Sequence, residues 1–358
     1  MFNKKRLLPV ILAGVSIFII LITSFIVFHK YSNKENTTVK TSTNKDKTVL
    51  AFTTYYYPED KSSYNQMVQN TSSINNIATD TYTIDAKGNL SGNVPKEQIT
   101  YANNNKIKPL AMITNKFNSD LAKTLLESPA NRKLLINNIS NTLKTNNYKG
   151  VNIDFENVYY YDRNYYTSFL KELYGELKPK GFTVTASVPA KISDDPKASW
   201  IGAYDYKEIA KYTDEVILMT YDEHSPDGSS GPVASINWVK SVIKYASSNI
   251  PASKIVLGVA SYGYDWSSKG SKAYGIDAIY KLAEANNAEI EWNDAYKSPF
   301  FKYKDKSGVS HTVWFENSTS LSYKLDIVND SNLAGIAIWR LGLENEEYWS
   351  TIKAKLNR

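Results

Sequence analysis

Eight short apolar or β-branched runs recur between residues 48 and 341, and most are separated by stretches with helical spacing. They are TVLAFTTYY (48–56), INNIATDTYTI (74–84), KIKPLAMIT (106–114), GVNIDF (150–155), FTVTASVP (182–189), DEVILMTY (214–221), KIVLGVASYG (254–263) and LAGIAIWRL (333–341). Between them, Ser128 and Pro129 supply an N-cap and a first-turn proline, after which Leu135, Ile139 and Leu143 fall four apart. Asp162 can cap the next helix, whose Tyr166, Leu170, Leu173 and Leu177 form one stripe before Gly181 ends it. Trp349, Ile352 and Leu356 repeat the spacing near the C-terminus. Eight strands alternating with helices over roughly 310 residues predict a (β/α)8 TIM barrel at 48–358, because such a barrel needs about 250 residues and tolerates insertions. The surplus falls at 267–325, between the seventh and eighth runs. There EIEWND and FFKYKDKSGVSHTVWFEN, with a Lys306-Ser307-Gly308 turn, predict a small α+β insertion carrying a hairpin.

The N-terminus reads differently. Residues 1–6 carry Lys4, Lys5 and Arg6, and 7–28 form an apolar run without a charge. As a helix that run reaches about 33 Å, enough to cross a hydrocarbon core of roughly 30 Å. It lacks the short apolar region and small-residue cleavage site of a secretory signal, so the expectation is an uncleaved, single-pass membrane anchor with a cytoplasmic 1–6. Residues 29–47 are polar and rich in Thr, Asn and Lys, as a flexible tether would be. The barrel is then expected outside the cytoplasm, and as a monomer.

The sequence contains no cysteine, so disulfides, thiolate metal sites and cysteine nucleophiles are excluded. Its net charge of +6 is dispersed, and no basic block points to nucleic acid. His29, His224 and His311 are scattered, no G-x-S-x-G elbow or phosphate loop occurs, and neither metal nor cofactor is implied.

In YKGVNIDFENV (148–158), polar residues occupy every second position. Side chains alternate across a strand, so Asn152, Asp154 and Glu156 share one face and Val151, Ile153 and Phe155 the other. In a barrel the polar set faces inward and rises toward the C-terminal mouth, where such folds place their chemistry. Alone, a D-x-E on a strand fits a solvated strand end equally well.

Three further stretches change that balance. The 148–158 strand resembles the D-G-x-D-x-D-x-E motif of family 18 glycoside hydrolases, with Lys149 and Asn152 in place of the first two aspartates and with Asp154 and Glu156 retained. LMTYDEH resembles the family's M-x-Y-D, giving Met219, Tyr221 and Asp222; GIAIWRLGLEN resembles the eighth strand, giving Trp339; and LGVASYGYDW resembles the seventh. The wording is most similar to the spore-germination and cortex-lytic glucosaminidases. That branch often carries peptidoglycan-binding LysM repeats ahead of the barrel, where this chain has its apolar segment.

The resemblance implies a hydrolase of β-1,4 linkages next to N-acetylglucosamine, in peptidoglycan or a chitin-like glycan, in which the substrate's own acetamido oxygen is the nucleophile. Glu156 would be the general acid, raised in pKa by burial and by Asp154, which would orient the acetamido N–H. Tyr221 and Asp222 would contact the acetamido carbonyl and sugar hydroxyls, with Met219 beside them and Trp339 under the ring. Asn152 would complete the polar stack, in the binding site or as support beneath it, while Asn115, Tyr55 and Tyr204 are candidate wall residues. Two rival readings are a lectin-like barrel that binds N-acetylglucosamine polymers without cutting them and a surface-assembly protein that uses the barrel as scaffold.

Overall fold

A computed structural model describes residues 47–357. The eight runs become eight parallel strands: β1 (Thr48–Thr54), β2 (Asn76–Ile84), β4 (Lys108–Thr114), β5 (Gly150–Asp154), β6 (Thr183–Pro189), β7 (Glu215–Met219), β8 (Ile255–Ala260) and β14 (Gly335–Trp339). Each pairs with the next, and β1 pairs in parallel with both β2 and β14, which closes the ring. A short β3 (Leu90–Gly92) adds antiparallel to β2. The sequence-based expectation of a TIM-type barrel therefore holds. The expected segments 1–6 and 7–28, and 29–47 except its last residue, lie outside the described residues, as does His29. Lys47 already belongs to the barrel, its Nζ donating to the Leu333 carbonyl at 2.8 Å. Among the described residues no helix is long and apolar enough to cross a membrane.

Alternation along each strand sorts the barrel into two cores. Leu50, Phe52, Ala78, Leu110, Met112, Ile217, Val256 and Ala337 fill the interior. Their strand neighbours, among them Val151, Ile153, Val184, Leu257 and Ile338, face outward and pack with Leu135, Ile139, Leu143, Leu170, Leu173 and Leu177 of the surrounding helices. Burial of each such side chain contributes about 1.5–3 kcal/mol before chain entropy is counted. Ser128 caps the helix Pro129–Thr145 by accepting from Asn131 N, and Gly181, at φ 82°, takes the left-handed conformation after Arg163–Leu177. Asp162 departs from expectation: it stands at the start of Arg163–Leu177 but its buried carboxylate makes no capping bond.

A second sheet grows out of the barrel wall. One residue after β8, the chain enters β9 (Tyr262–Ser267), which joins β10 (Gly270–Gly275), β11 (Glu291–Asn293), β12 (Ser298–Lys304) and β13 (Ser310–Phe315) in the antiparallel order β10-β9-β13-β12-β11. The linking residue, Ser261, donates its N–H to the Trp339 carbonyl at 3.0 Å and its hydroxyl to the Arg340 carbonyl at 2.9 Å. Beyond β13, a buried Lys324–Glu316 pair at 2.7 Å, joined by the Ser320 hydroxyl, fixes the return to the barrel.

Candidate active site

The interior of β5 and β6 is polar at one level. Asn152 is fully buried, donates to Thr185 Oγ1 at 3.0 Å and accepts from Ser187 Oγ at 3.2 Å. This satisfies the amide, as a buried polar group requires. Asn152 is thus a support beneath the cavity and does not line it, because both ends of its side chain are taken by β6.

Above it, Asp154, Glu156, Met219, Tyr221, Asp222 and Trp339 come together around one cavity of about 110 Å³ at the C-terminal mouth. Phe52, Met112, Phe117 and Ser187 complete the lining. Phe52 meets Trp339 edge-to-face, with centroids 5.4 Å apart. Gly258 on β8 makes room for Tyr221: a Cβ there would stand 2.9 Å from the ring and 2.4 Å from the Leu218 carbonyl. Asp222 takes a left-handed backbone, φ 57°, a conformation that Asp tolerates better than most residues, and its Oδ1 accepts from Tyr262 at 2.6 Å and Tyr264 at 2.9 Å. Both tyrosines belong to β9, so the second sheet holds one of the site's carboxylates.

The turn that carries Glu156 is tied at several points. Asn115 accepts from the Glu156 N–H and donates to its carbonyl, both at 2.8 Å. Tyr204 donates to the Phe155 carbonyl at 2.8 Å, and Ser119 donates to that of Asn157 at 2.6 Å. Asn115 and Tyr204 are therefore not wall residues. Both are fully buried, with their polar atoms bonded to the main chain of 155–158 and, for Asn115, also to the Asn118 carbonyl. Tyr55 lies in a separate depression with Asp60, Lys61, Tyr64 and Gln98, away from the cavity lining.

Electrostatics set the proton inventory. Glu156 is raised well above the usual carboxyl range, first by desolvation and then by the charges of Asp154, Asp222 and Asp80. Asp154 is raised too, by burial and then by Asp80, against a lowering hydrogen bond from Ser187. Asp222 is raised by burial, partly offset by its two tyrosines. Asp80, on β2, went unrecognised in the sequence; its signal was a carboxylate inside a β-branched run, two positions after the inward Ala78. Such crowding keeps at least one of these acids protonated near neutrality, as a general acid must be. Among the described residues no group of three His, Asp or Glu is placed to hold a metal. His224 binds the Pro232 carbonyl, and His311 pairs with Asp265 in the second sheet.

Comparison with known proteins agrees with this geometry. Residues 24–344 match the family described as Glycosyl hydrolases family 18. The chain is 35% identical over 307 residues to the uncharacterized glycosylase YvbX of Bacillus subtilis, covering 83% of this chain and 89% of that one. It is 31% identical over 247 residues to the cortical fragment-lytic enzyme of the same organism, covering 67% of this chain and 57% of the relative, so it spans little more than half of that protein. Among solved structures, a chitinase from Chromobacterium violaceum superposes with a TM-score of 0.81 at 28% identity, covering 87% of this chain and 99% of the other.

Proposed function

The chain belongs to glycosyl hydrolase family 18 and is a glycosidase; on that premise we propose that it cleaves β-1,4 linkages next to N-acetylglucosamine in peptidoglycan, spore cortex included, or in a chitin-like glycan. The observation that carries this reading is the convergence of Asp154, Glu156, Tyr221, Asp222 and Trp339 on one cavity above a closed barrel.

Glu156 gives its proton to the leaving glycosidic oxygen while the substrate's acetamido oxygen attacks the anomeric carbon from the opposite side. Asp154 accepts the acetamido N–H and stabilises positive charge on the cyclic intermediate. Tyr221 donates toward the acetamido carbonyl, and Trp339 supplies an apolar floor. Water then attacks the anomeric carbon from the face the leaving group vacated, the Glu156 carboxylate takes its proton and the bond from that carbon to the acetamido oxygen breaks, so two inversions retain configuration. In this reading residues 7–28 anchor the enzyme in the membrane with the barrel outside the cytoplasm. The support is their uncharged length beside Lys4, Lys5 and Arg6.

The test is mass spectrometry of products from purified peptidoglycan, cortex and chitooligosaccharides, with the unsubstituted chain and Glu156→Gln. The reading requires cleavage products from the former, whose retained anomeric configuration is read by proton NMR early in the reaction, and loss of turnover in the latter with the fold intact. Native-rate release of sugar by Glu156→Gln would remove the mechanism. Protease treatment of intact cells reports the orientation: a protected barrel excludes the outward placement.

A further inference from the structure

We propose that Arg340 is a specificity residue that binds a carboxylate carried by the glycan, so that the site favours acidic strands such as peptidoglycan over neutral chitin-like ones. The inference rests on the glycan-cleaving reading above and narrows its substrate.

Arg340 directly follows Trp339, which lines the cavity. Its Nη1 donates to Thr54 Oγ1 at 3.1 Å. Thr54 ends β1 two positions after Phe52 and its Oγ1 also lies 3.3 Å from Ser63 Oγ, so the guanidinium is held at the C-terminal end of β1, near enough to Asp80 for its charge to act there. Its Cζ lies 5.4 Å from the ring centroid of Tyr56, which is 63% exposed. The cation is therefore held by Thr54 and by the Tyr56 ring, and it is only half-buried.

Among the described residues Arg340 forms no ion pair within 4 Å. It acts on Asp80 and Asp60 through space, yet neither takes its hydrogen bonds. Asp60 is occupied with its own turn, accepting from Ser62 Oγ at 2.6 Å, Ser62 N at 3.2 Å and Tyr56 N at 3.3 Å. A guanidinium has five N–H donors in a planar fork that fits a carboxylate with two parallel bonds. Thr54 accepts one of them, which leaves the fork open.

The surrounding charge gives the cation a purpose. Asp80, Asp154, Glu156 and Asp222 crowd the site, and those of them that are ionised oppose an anionic substrate, while burial and mutual repulsion hold Glu156 in its neutral form. Chitin-like strands are neutral and meet no such barrier. Peptidoglycan carries a lactyl ether on alternate sugars, ending in a carboxylate or a peptide with its own carboxylates, and needs a counter-charge at the entrance. Arg340, one residue beyond the sugar floor, is placed to provide it.

The experiment compares one set of soluble peptidoglycan strands before and after its carboxylates are converted to neutral amides. The full-length protein is assayed unsubstituted and as Arg340→Gln and Arg340→Lys, and the readout is the ratio of kcat/KM for the two forms. A charge-assisted pair predicts about a tenfold preference for the carboxylate form in the unsubstituted protein, a ratio near one in Arg340→Gln, and an intermediate ratio in Arg340→Lys, which keeps the charge without the fork. Equal losses on both forms in Arg340→Gln, with a shifted pH profile, would assign the residue to Asp80 and overturn the proposal. An unsubstituted protein that cuts both forms at equal rates overturns this inference alone. One that cuts neither form, nor chitooligosaccharides, overturns the underlying reading as well.

Discussion

Asn115 grips the backbone of Glu156 on both sides of its Cα, its amide accepting from the Glu156 N–H and donating to the Glu156 carbonyl at 2.8 Å each. A side chain on the end of β4 thereby fixes the backbone of the proposed acid on the turn after β5. Asn115→Ala leaves two buried main-chain groups without partners, a loss of about 1–3 kcal/mol. The expected result is a lower melting temperature and a fall in kcat of about tenfold or more, with KM changed less, because the acid is displaced relative to the bound sugar. Calorimetry and steady-state kinetics check it.

Glu156 and Asp154 should make the protein less stable as pH rises. Burial holds both carboxyls above their ordinary range in the folded state, so folding takes up protons. The sign follows directly: the favourable protonated form persists below the unfolded pKa, and stability falls as pH climbs through the raised folded values. Glu156→Gln removes the ionisable group, so it is expected to be inactive and more stable than the unsubstituted chain, by on the order of 1 kcal/mol at pH 8 and by less at pH 5. Thermal denaturation across that range tests it. The same shift places the alkaline limb of kcat against pH above the usual carboxyl range.

Gly258→Ala is expected to damage the site from the barrel side. The added methyl would press on the Leu218 carbonyl and on the Tyr221 ring. Backbone cannot give way as a flexible side chain can, so about 1–3 kcal/mol of stability should be lost. Turnover should drop even where the protein remains folded, as activity and circular dichroism on one sample would show.

Lys324→Met leaves Glu316 buried without its partner, and the expected destabilisation is about 3–5 kcal/mol. The double change Lys324→Met with Glu316→Leu should be milder than Lys324→Met alone. Urea denaturation of both variants decides the point, since an ordinary packing contact would give additive losses.

The barrel was legible because alternation is the same physical fact in a sequence and in a strand. Val151 and Ile153 had to face apolar helices, so Asn152 and Asp154 had to face inward, while Glu156, on the turn after β5, was placed by resemblance. Tyr221, Asp222 and Trp339 could be placed by resemblance, and they do meet the two acids. Alternation names a face but not a partner, which is why Asn115 read as a wall residue when its amide is consumed by main chain. Tyr55 follows β1, where strand parity no longer governs direction. Asp80 keeps the parity of the inward Ala78 and was legible in principle; only beyond it does the pairing of β2 with β4 shift register, between Asp80 and Tyr82. Phe117 comes from a loop, with φ 59°, and no periodicity announces it.

Ser261 separates barrel wall from accessory sheet by a single residue, and Tyr262 and Tyr264 reach back from that sheet to Asp222. The accessory sheet is therefore no detachable cassette. Replacing it would also strip a carboxylate of its two phenolic donors, so the fold of that sheet and the acidity of Asp222 are inherited together.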